Sequence, residues 1–253
     1  MEISKTLLFA DTYNVRIKKH PNGNILEILS CNRPIWSDGE THNKDFQKKK
    51  KRVKNQNTDV SSSIRRAKHK IYDYIICNDD LDLFVTLTLN QDCINRYDYK
   101  EIIRKLNCWL DNRVRRKGLK YILVPELHKD GAIHFHGFFN KSACKLTDSN
   151  HKYKDNRVIY NLEDWTLGFT TAIDAVGSRA KIGNYICKYI TKQIDSGRIG
   201  GRYYLSGGNL ATPFCEYISE DFCEFLADVD TFEIDNTNLL FKKVDYTQHI
   251  DNT

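Results

Sequence analysis

What this chain lacks narrows its class before any motif is read. No apolar run approaches the length of a membrane span, and the N-terminus shows no signal-peptide pattern. The expectation is a chain with no membrane partner, at work in the cytoplasm. Its eight cysteines (31, 77, 93, 108, 144, 187, 215 and 223) form no CxxC pair. That argues against structural zinc, and thiols scattered without a framework point to a reducing compartment rather than to disulfides.

Negative charge is scarce over most of the chain. Residues 1–215 hold 37 Lys and Arg against 23 Asp and Glu, a net of +14. Residues 216–253 reverse this with ten acids and two bases, a net of −8. A basic body attracts polyanions, with nucleic acid the leading candidate. The acidic end reads as a solvated terminus or as a shield over the basic surface. Its 253 residues and 40% hydrophobic content suffice for one large or two small domains with a real core.

The stretch that organises the chain is YILVPELHKDGAIHFHGFF, Tyr121 to Phe139. YILV is apolar and β-branched, His128 to Gly131 is a turn, and AIHFHGFF alternates, so the pattern is two strands in a hairpin. A strand sends alternate side chains to opposite faces. Ala132, His134, His136 and Phe138 therefore share one face, while Ile133, Phe135 and Phe139 share the other as core. The turn folds Glu126 back beside the two imidazoles. Two imidazoles and a carboxylate with open positions suit Mn, Mg, Fe or Zn. The competing reading is two ordinary strand histidines.

Other elements follow in order. Leu7 to Leu29 reads as an N-terminal hairpin around the turn Pro21 to Asn24. Residues 41–70 hold eleven Lys or Arg against Asp45 and Asp59. KDFQKKKKRVKNQNT is expected to be mobile. Ser61 to Ser63 are expected to cap a basic helix with Ile64, Ala67, Ile71, Tyr74 and Ile75 on one stripe. Such a charge run is either a solvated face or a set of phosphate contacts. Leu83 to Asn90 is a strand, with Val85, Leu87 and Leu89 on one face and Thr86, Thr88 and Asn90 on the other. Residues 99–117 have the helical period and end in basic residues before Gly118.

Residues 141–164 are polar and irregular and read as a loop, and Trp165 to Ala175 as a strand. Ser178 then starts a helix, SRAKIGNYICKYITKQI, with Ile182, Ile186, Ile190 and Ile194 buried. Tyr185 and Tyr189 lie along one edge of that stripe, beside Lys181, Lys188 and Lys192. Amphipathic helices carry Tyr and Lys at such boundaries because both snorkel, yet the duplicated YxxKYxxK goes beyond that. Arg198 to Gly208 mixes basic, aromatic and glycine residues in a way that suits single-stranded nucleic acid. Residues 214–228 read as a final helix, followed by an acidic tail.

Taken together, His134-Phe135-His136, the strand FVTLTLN, Glu126 and the later YICKYITK resemble HUH endonucleases, and most nearly the rolling-circle replication initiators (Rep proteins) of small phages and plasmids. The likeness spans roughly residues 60–210. It implies an α+β fold with a central antiparallel five-stranded sheet and flanking helices, in an RNA-recognition-motif-like arrangement. It divides the chain into an N-terminal hairpin and basic segment (1–60), an endonuclease domain (61–213) and a C-terminal helix with acidic tail (214–253).

The resemblance also implies a chemistry. Glu126, His134 and His136 would hold Mg²⁺ or Mn²⁺, and Tyr185 and Tyr189, aided by Lys188 and Lys192, would nick single-stranded origin DNA through a 5′-phosphotyrosine and rejoin it. The setting would be the cytoplasm of a bacterial host. No Walker A motif occurs, so helicase and polymerase would be separate proteins. A transposase of the same class, a zinc hydrolase and a non-catalytic nucleic-acid-binding module are the alternatives.

Overall fold

A computed structural model describes residues 12–23, 25–36, 56–196, 202–218, 232–236 and 239–243. The chain divides into two units. One runs from Asn55 to Ala211, and the other combines Met1–Lys54 with Thr212–Thr253.

The first unit holds α1 (Gln56–Cys77), β3 (Leu83–Leu89), α2 (Tyr99–Lys117), β4 (Tyr121–Leu127), β5 (Ile133–Phe139), β6 (Leu146–Lys152), β7 (Val158–Leu162), β8 (Gly168–Asp174), α3 (Arg179–Ser196) and β9 (Leu205–Gly207). Its strands form one antiparallel sheet in the order β6-β7-β8-β3-β5-β4-β9. Both faces are covered. Leu83, Val85, Leu87 and Leu89 of β3 and Ile133, Phe135 and Phe139 of β5 pack with Ile102, Leu106 and Leu110 of α2. On the opposite face Ile122, Val124 and Phe138 pack with Ile64, Ala67, Ile71 and Ile75 of α1 and Ile182, Ile186 and Ile190 of α3. Each such side chain contributes about 1.5–3 kcal/mol when fully buried. That packing, more than intrinsic propensity, holds helices of this length.

Local chemistry fixes the ends. The Asp98 carboxylate accepts from the N–H groups of Lys100 and Glu101 at 3.0 and 3.1 Å, and Gly118 closes α2 at φ 67°. At the far end of α1, the buried Arg179 guanidinium donates to the carbonyls of Ile75, Asn78 and Leu81 at 2.6–3.2 Å. It thereby fills carbonyls that a helix C-terminus leaves open and ties the start of α3 to α1. Gly183 lets the two helices meet, since a Cβ there would lie 2.8 Å from the Tyr72 ring.

Several sequence expectations need correction. The sheet has seven strands rather than five. Residues 141–164, read as a loop, hold the β6–β7 hairpin. Its strand β6 is exposed along most of its length, so no apolar alternation marks it. The three serines lie inside α1, which begins at Gln56; an interior serine costs under ~0.7 kcal/mol, too little to stop a helix. Trp165 precedes β8 rather than opening it. The highly basic segment 37–55 and residues 197–201 lie outside the described residues.

The second unit contains β1 (Thr12–Lys19), β2 (Ile25–Trp36), β10 (Phe214–Ile218), β11 (Phe232–Asn236) and β12 (Leu239–Lys243), in the order β10-β1-β2-β12-β11. The N-terminal hairpin is as expected, with Gly23 at φ 94° in its turn. Phe214–Ile218 is a strand paired with β1 rather than the start of a helix. Within the acidic end, β11 and β12 form a hairpin paired with β2. Backbone pairing with distant strands overrides local helical spacing there.

Candidate active site

Register places the sheet's polar residues in rows. Residues paired across antiparallel strands project to the same face. One row runs Glu126, His134, Thr88, Phe169 across β4, β5, β3 and β8. The next runs Val124, His136, Thr86, Thr171, and the third Ile122, Phe138, Phe84, Ile173. The face expected to carry both histidines and Glu126 therefore does so, and α3 crosses part of it.

The rows have internal contacts. His136 Nε2 lies 2.7 Å from Glu126 Oε2, and His136 Nδ1 lies 3.1 Å from Thr86 Oγ1. His134 Nδ1 is 3.4 Å from Thr88 Oγ1, and the His134 ring stacks on His128 with centroids 5.1 Å apart. A hydroxyl can donate to or accept from a ring nitrogen, so each threonine suits either tautomer. Burial, reinforced by the nearby charges of His128 and Arg96, holds the His134 pKa below its ordinary value, which favours the neutral, ligating form.

The fit to a divalent cation can be judged from this donor set. Tied at Nδ1, each imidazole keeps Nε2 as its ligating atom, and in His136 that atom already meets a carboxylate. The chemistry of the set suits Mg²⁺ or Mn²⁺. Among the described residues, however, no group of three His, Cys, Asp or Glu is drawn together as a finished metal cage. The structure brings Glu126 and His136 into contact and sets His134 beside them along the strand.

Helix α3 brings both tyrosines to this face. The Tyr189 ring stacks on His136 at 4.2 Å between centroids and 16° between planes. Tyr185 Oη lies 3.1 Å from Tyr189 Oη. Phe84 packs against both tyrosines and His136. The two phenols differ in setting. Tyr185 is 39% exposed, with Lys188 Nζ over its ring at 5.6 Å. Tyr189 is half-buried, and burial, then the hydrogen bond and charge of Tyr185, then Glu126, raise its pKa well above that of an ordinary phenol. The side chain of Lys192 lies outside the described residues, as does that of Ile194.

Sequence reasoning missed Phe84, which shares its strand face with Thr86 and Thr88. The strand period of two was the signal that could have found it. It also left Thr86 and Thr88 as an undifferentiated polar row, whereas each meets one histidine. His128 was read only as a turn residue.

Residues 82–194 match the family model of the replication-associated protein ORF2. No curated protein and no solved structure matches the chain. The matched stretch runs from the start of β3 into the last turns of α3, so it contains every residue of the site described above. DNA replication is the setting this match supports. Among the described residues no helix is long and apolar enough to cross a membrane.

Proposed function

We propose that this chain initiates rolling-circle DNA replication by nicking and rejoining single-stranded DNA at an origin. One observation carries the reading: the paired hydroxyls of Tyr185 and Tyr189 stand against His136, which itself meets Glu126. Nucleophile candidates and phosphate-activating candidates thus converge from a helix and a sheet that are distant in sequence.

Tyr185 is the first nucleophile in this reading. It is exposed to an incoming strand, Lys188 lies over its ring, and Tyr189 can donate a hydrogen bond to its oxygen as charge develops. Two titratable groups in unlike environments take unlike roles. An ordinary phenol has a pKa near ~10, so stabilising the phenolate is the chief task of the surroundings. Tyr185 Oη attacks the phosphorus as its proton leaves to solvent. The P–O3′ bond breaks, the 3′ oxygen takes up a proton, and the 5′ phosphate remains esterified to the tyrosine. A later 3′-OH reverses the step, and Tyr189 allows a second cleavage while Tyr185 is occupied. Lys192 is the matching partner of Tyr189 by spacing. Mg²⁺ or Mn²⁺ held by Glu126, His134 and His136 would supply charge stabilisation at the phosphate. The chain lacks a Walker A motif, so unwinding and synthesis fall to a separate helicase and polymerase, in the cytoplasm of a bacterial host.

The test is a denaturing gel after incubation with single-stranded origin DNA and Mn²⁺. A covalent adduct that maps by peptide sequencing to Tyr185 or Tyr189 is the expected result. Binding without an adduct would leave a non-catalytic DNA-binding module. An adduct on a residue outside α3 would overturn the mechanism. The match to a replication-associated family favours an initiator over a transposase of the same chemistry. Titration of Mn²⁺ into Glu126→Ala should show weakened binding, and unchanged affinity would remove Glu126 from the ligand set.

A further inference from the structure

Phe169 is the most exposed of the large hydrophobic side chains among the described residues, at 66%. A single exposed apolar side chain on a protein surface is ordinary. Its address is what sets this one apart. Phe169 is the cross-strand partner of Thr88, and Thr88 is the partner of His134. The ring therefore projects from the same sheet face as the His and Glu row, at its β8 end. Thr171, next along β8 on that face, is also exposed. This part of the face has an aromatic and hydroxyls and is open to solvent.

The backbone beneath the ring is firmly held. Gly168 has φ 154°, and a Cβ there would lie 2.3 Å from the Thr88 carbonyl oxygen. The Asn90 N–H donates to the Leu167 carbonyl at 2.9 Å. The Trp165 indole donates to the Thr88 carbonyl at 3.3 Å and packs edge-on against Trp109, whose own indole donates to the Asp164 carbonyl. An exposed phenyl ring on an anchored strand loses little freedom when something flat lands on it.

We propose that Phe169 is a stacking platform for a base of the single strand, steering the adjoining phosphates across Thr171 and Thr88 toward the tyrosines. This deepens the proposed function and rests on it. The charge balance agrees. Residues 55–211 carry 25 Lys and Arg against 17 Asp and Glu, which draws a phosphate backbone, while a bare aromatic ring offers every base a π-face to stack on. Phe169 positions the strand and does not take part in the bond exchange.

The experiment measures binding of the full-length chain to a fluorescein-labelled single strand of mixed sequence by anisotropy, without divalent metal so that cleavage cannot intervene. Phe169→Ala should weaken binding by about 5- to 150-fold, the range for losing one base–aromatic stack. Phe169→Trp and Phe169→Tyr should keep wild-type affinity, while Phe169→Leu, apolar but without a π-face, should behave like alanine. Full affinity in the leucine variant would overturn the stacking claim, as would unchanged affinity in the alanine variant. A change of oligomeric state in light scattering with DNA affinity unaltered would assign the ring to a protein contact and likewise overturn it. The two readings fail in different ways. A wild-type chain that binds no single strand refutes both. One that binds but forms no adduct, with the alanine variant still weakened, refutes nicking and leaves the platform standing.

Discussion

Replacing Thr86 by valine removes one oxygen from the site and leaves a side chain of similar shape. Thr86 Oγ1 is 3.1 Å from His136 Nδ1, and the other ring nitrogen faces Glu126 at 2.7 Å. The hydroxyl fixes the ring plane and satisfies Nδ1 in either tautomer. With valine, Nδ1 meets a methyl group, and the ring loses the partner that aims Nε2 toward the carboxylate. Losing an outer partner of a metal-ligating imidazole typically costs ~10–100-fold in metal affinity, or about 1.4–2.8 kcal/mol. The corresponding change at Thr88 should cost less, because Thr88 Oγ1 is 3.4 Å from His134 Nδ1, beyond the usual hydrogen-bond range. Titration calorimetry of Mn²⁺ into Thr86→Val and Thr88→Val reads both values directly, with circular dichroism to check the fold. Wild-type affinity in a folded Thr86→Val would refute the argument that the hydroxyl row orients the imidazoles. A larger loss in Thr88→Val would refute the ranking by distance.

The rest of the structure is open to equally direct tests. Gly137→Ala would put a Cβ 1.8 Å from the Ile122 carbonyl oxygen and 2.9 Å from Leu123 Cα, both backbone atoms of β4. The hairpin cannot keep its register around that, so loss of the cooperative thermal transition is expected, and a wild-type melt would contradict the close approach. Arg179→Met keeps side-chain length but drops the donors to Ile75, Asn78 and Leu81. Urea unfolding should show destabilisation of about 3 kcal/mol, and an unchanged midpoint would show that water replaces the guanidinium at no cost. Single-strand affinity should fall linearly with salt on logarithmic axes, with a slope of about −0.7 for each phosphate neutralised; a flat line would argue against nucleic acid as the partner.

The fold was legible in the sequence where an element carries both its period and its ends. Helix α2 has buried residues at helical spacing, Asp98 to start it and Gly118 to stop it, and its expected bounds match. The β6–β7 hairpin was not legible, because a largely exposed edge strand has no apolar face to print a pattern. Asn150 and Asn156 sit at positive φ there, a backbone conformation that asparagine tolerates and the sole local hint of turns. The stretch FCEYISEDFCEFL has apolar residues at helical spacing, yet Phe214–Ile218 pairs with β1, roughly two hundred residues away in the chain. A partner that remote leaves no trace in the local pattern.

The site was legible for a different reason: two short periods, one of strand and one of helix, each put like residues on one face. What those periods leave open is the tilt of α3 over the sheet. Two contacts from outside the motif bear on it. Gly183 admits the Tyr72 ring of α1, and Arg179 anchors the helix start to the carbonyls of α1. As the helix lies, the second tyrosine of YxxKYxxK rests on His136 while the first stands one turn nearer the N-terminus and open to solvent. A repeated motif therefore becomes two unlike phenols, one stacked against the imidazole and held protonated by burial, the other exposed beneath Lys188. The sequence presents Tyr185 and Tyr189 as equals. Their inequality comes from how the helix beneath them is packed.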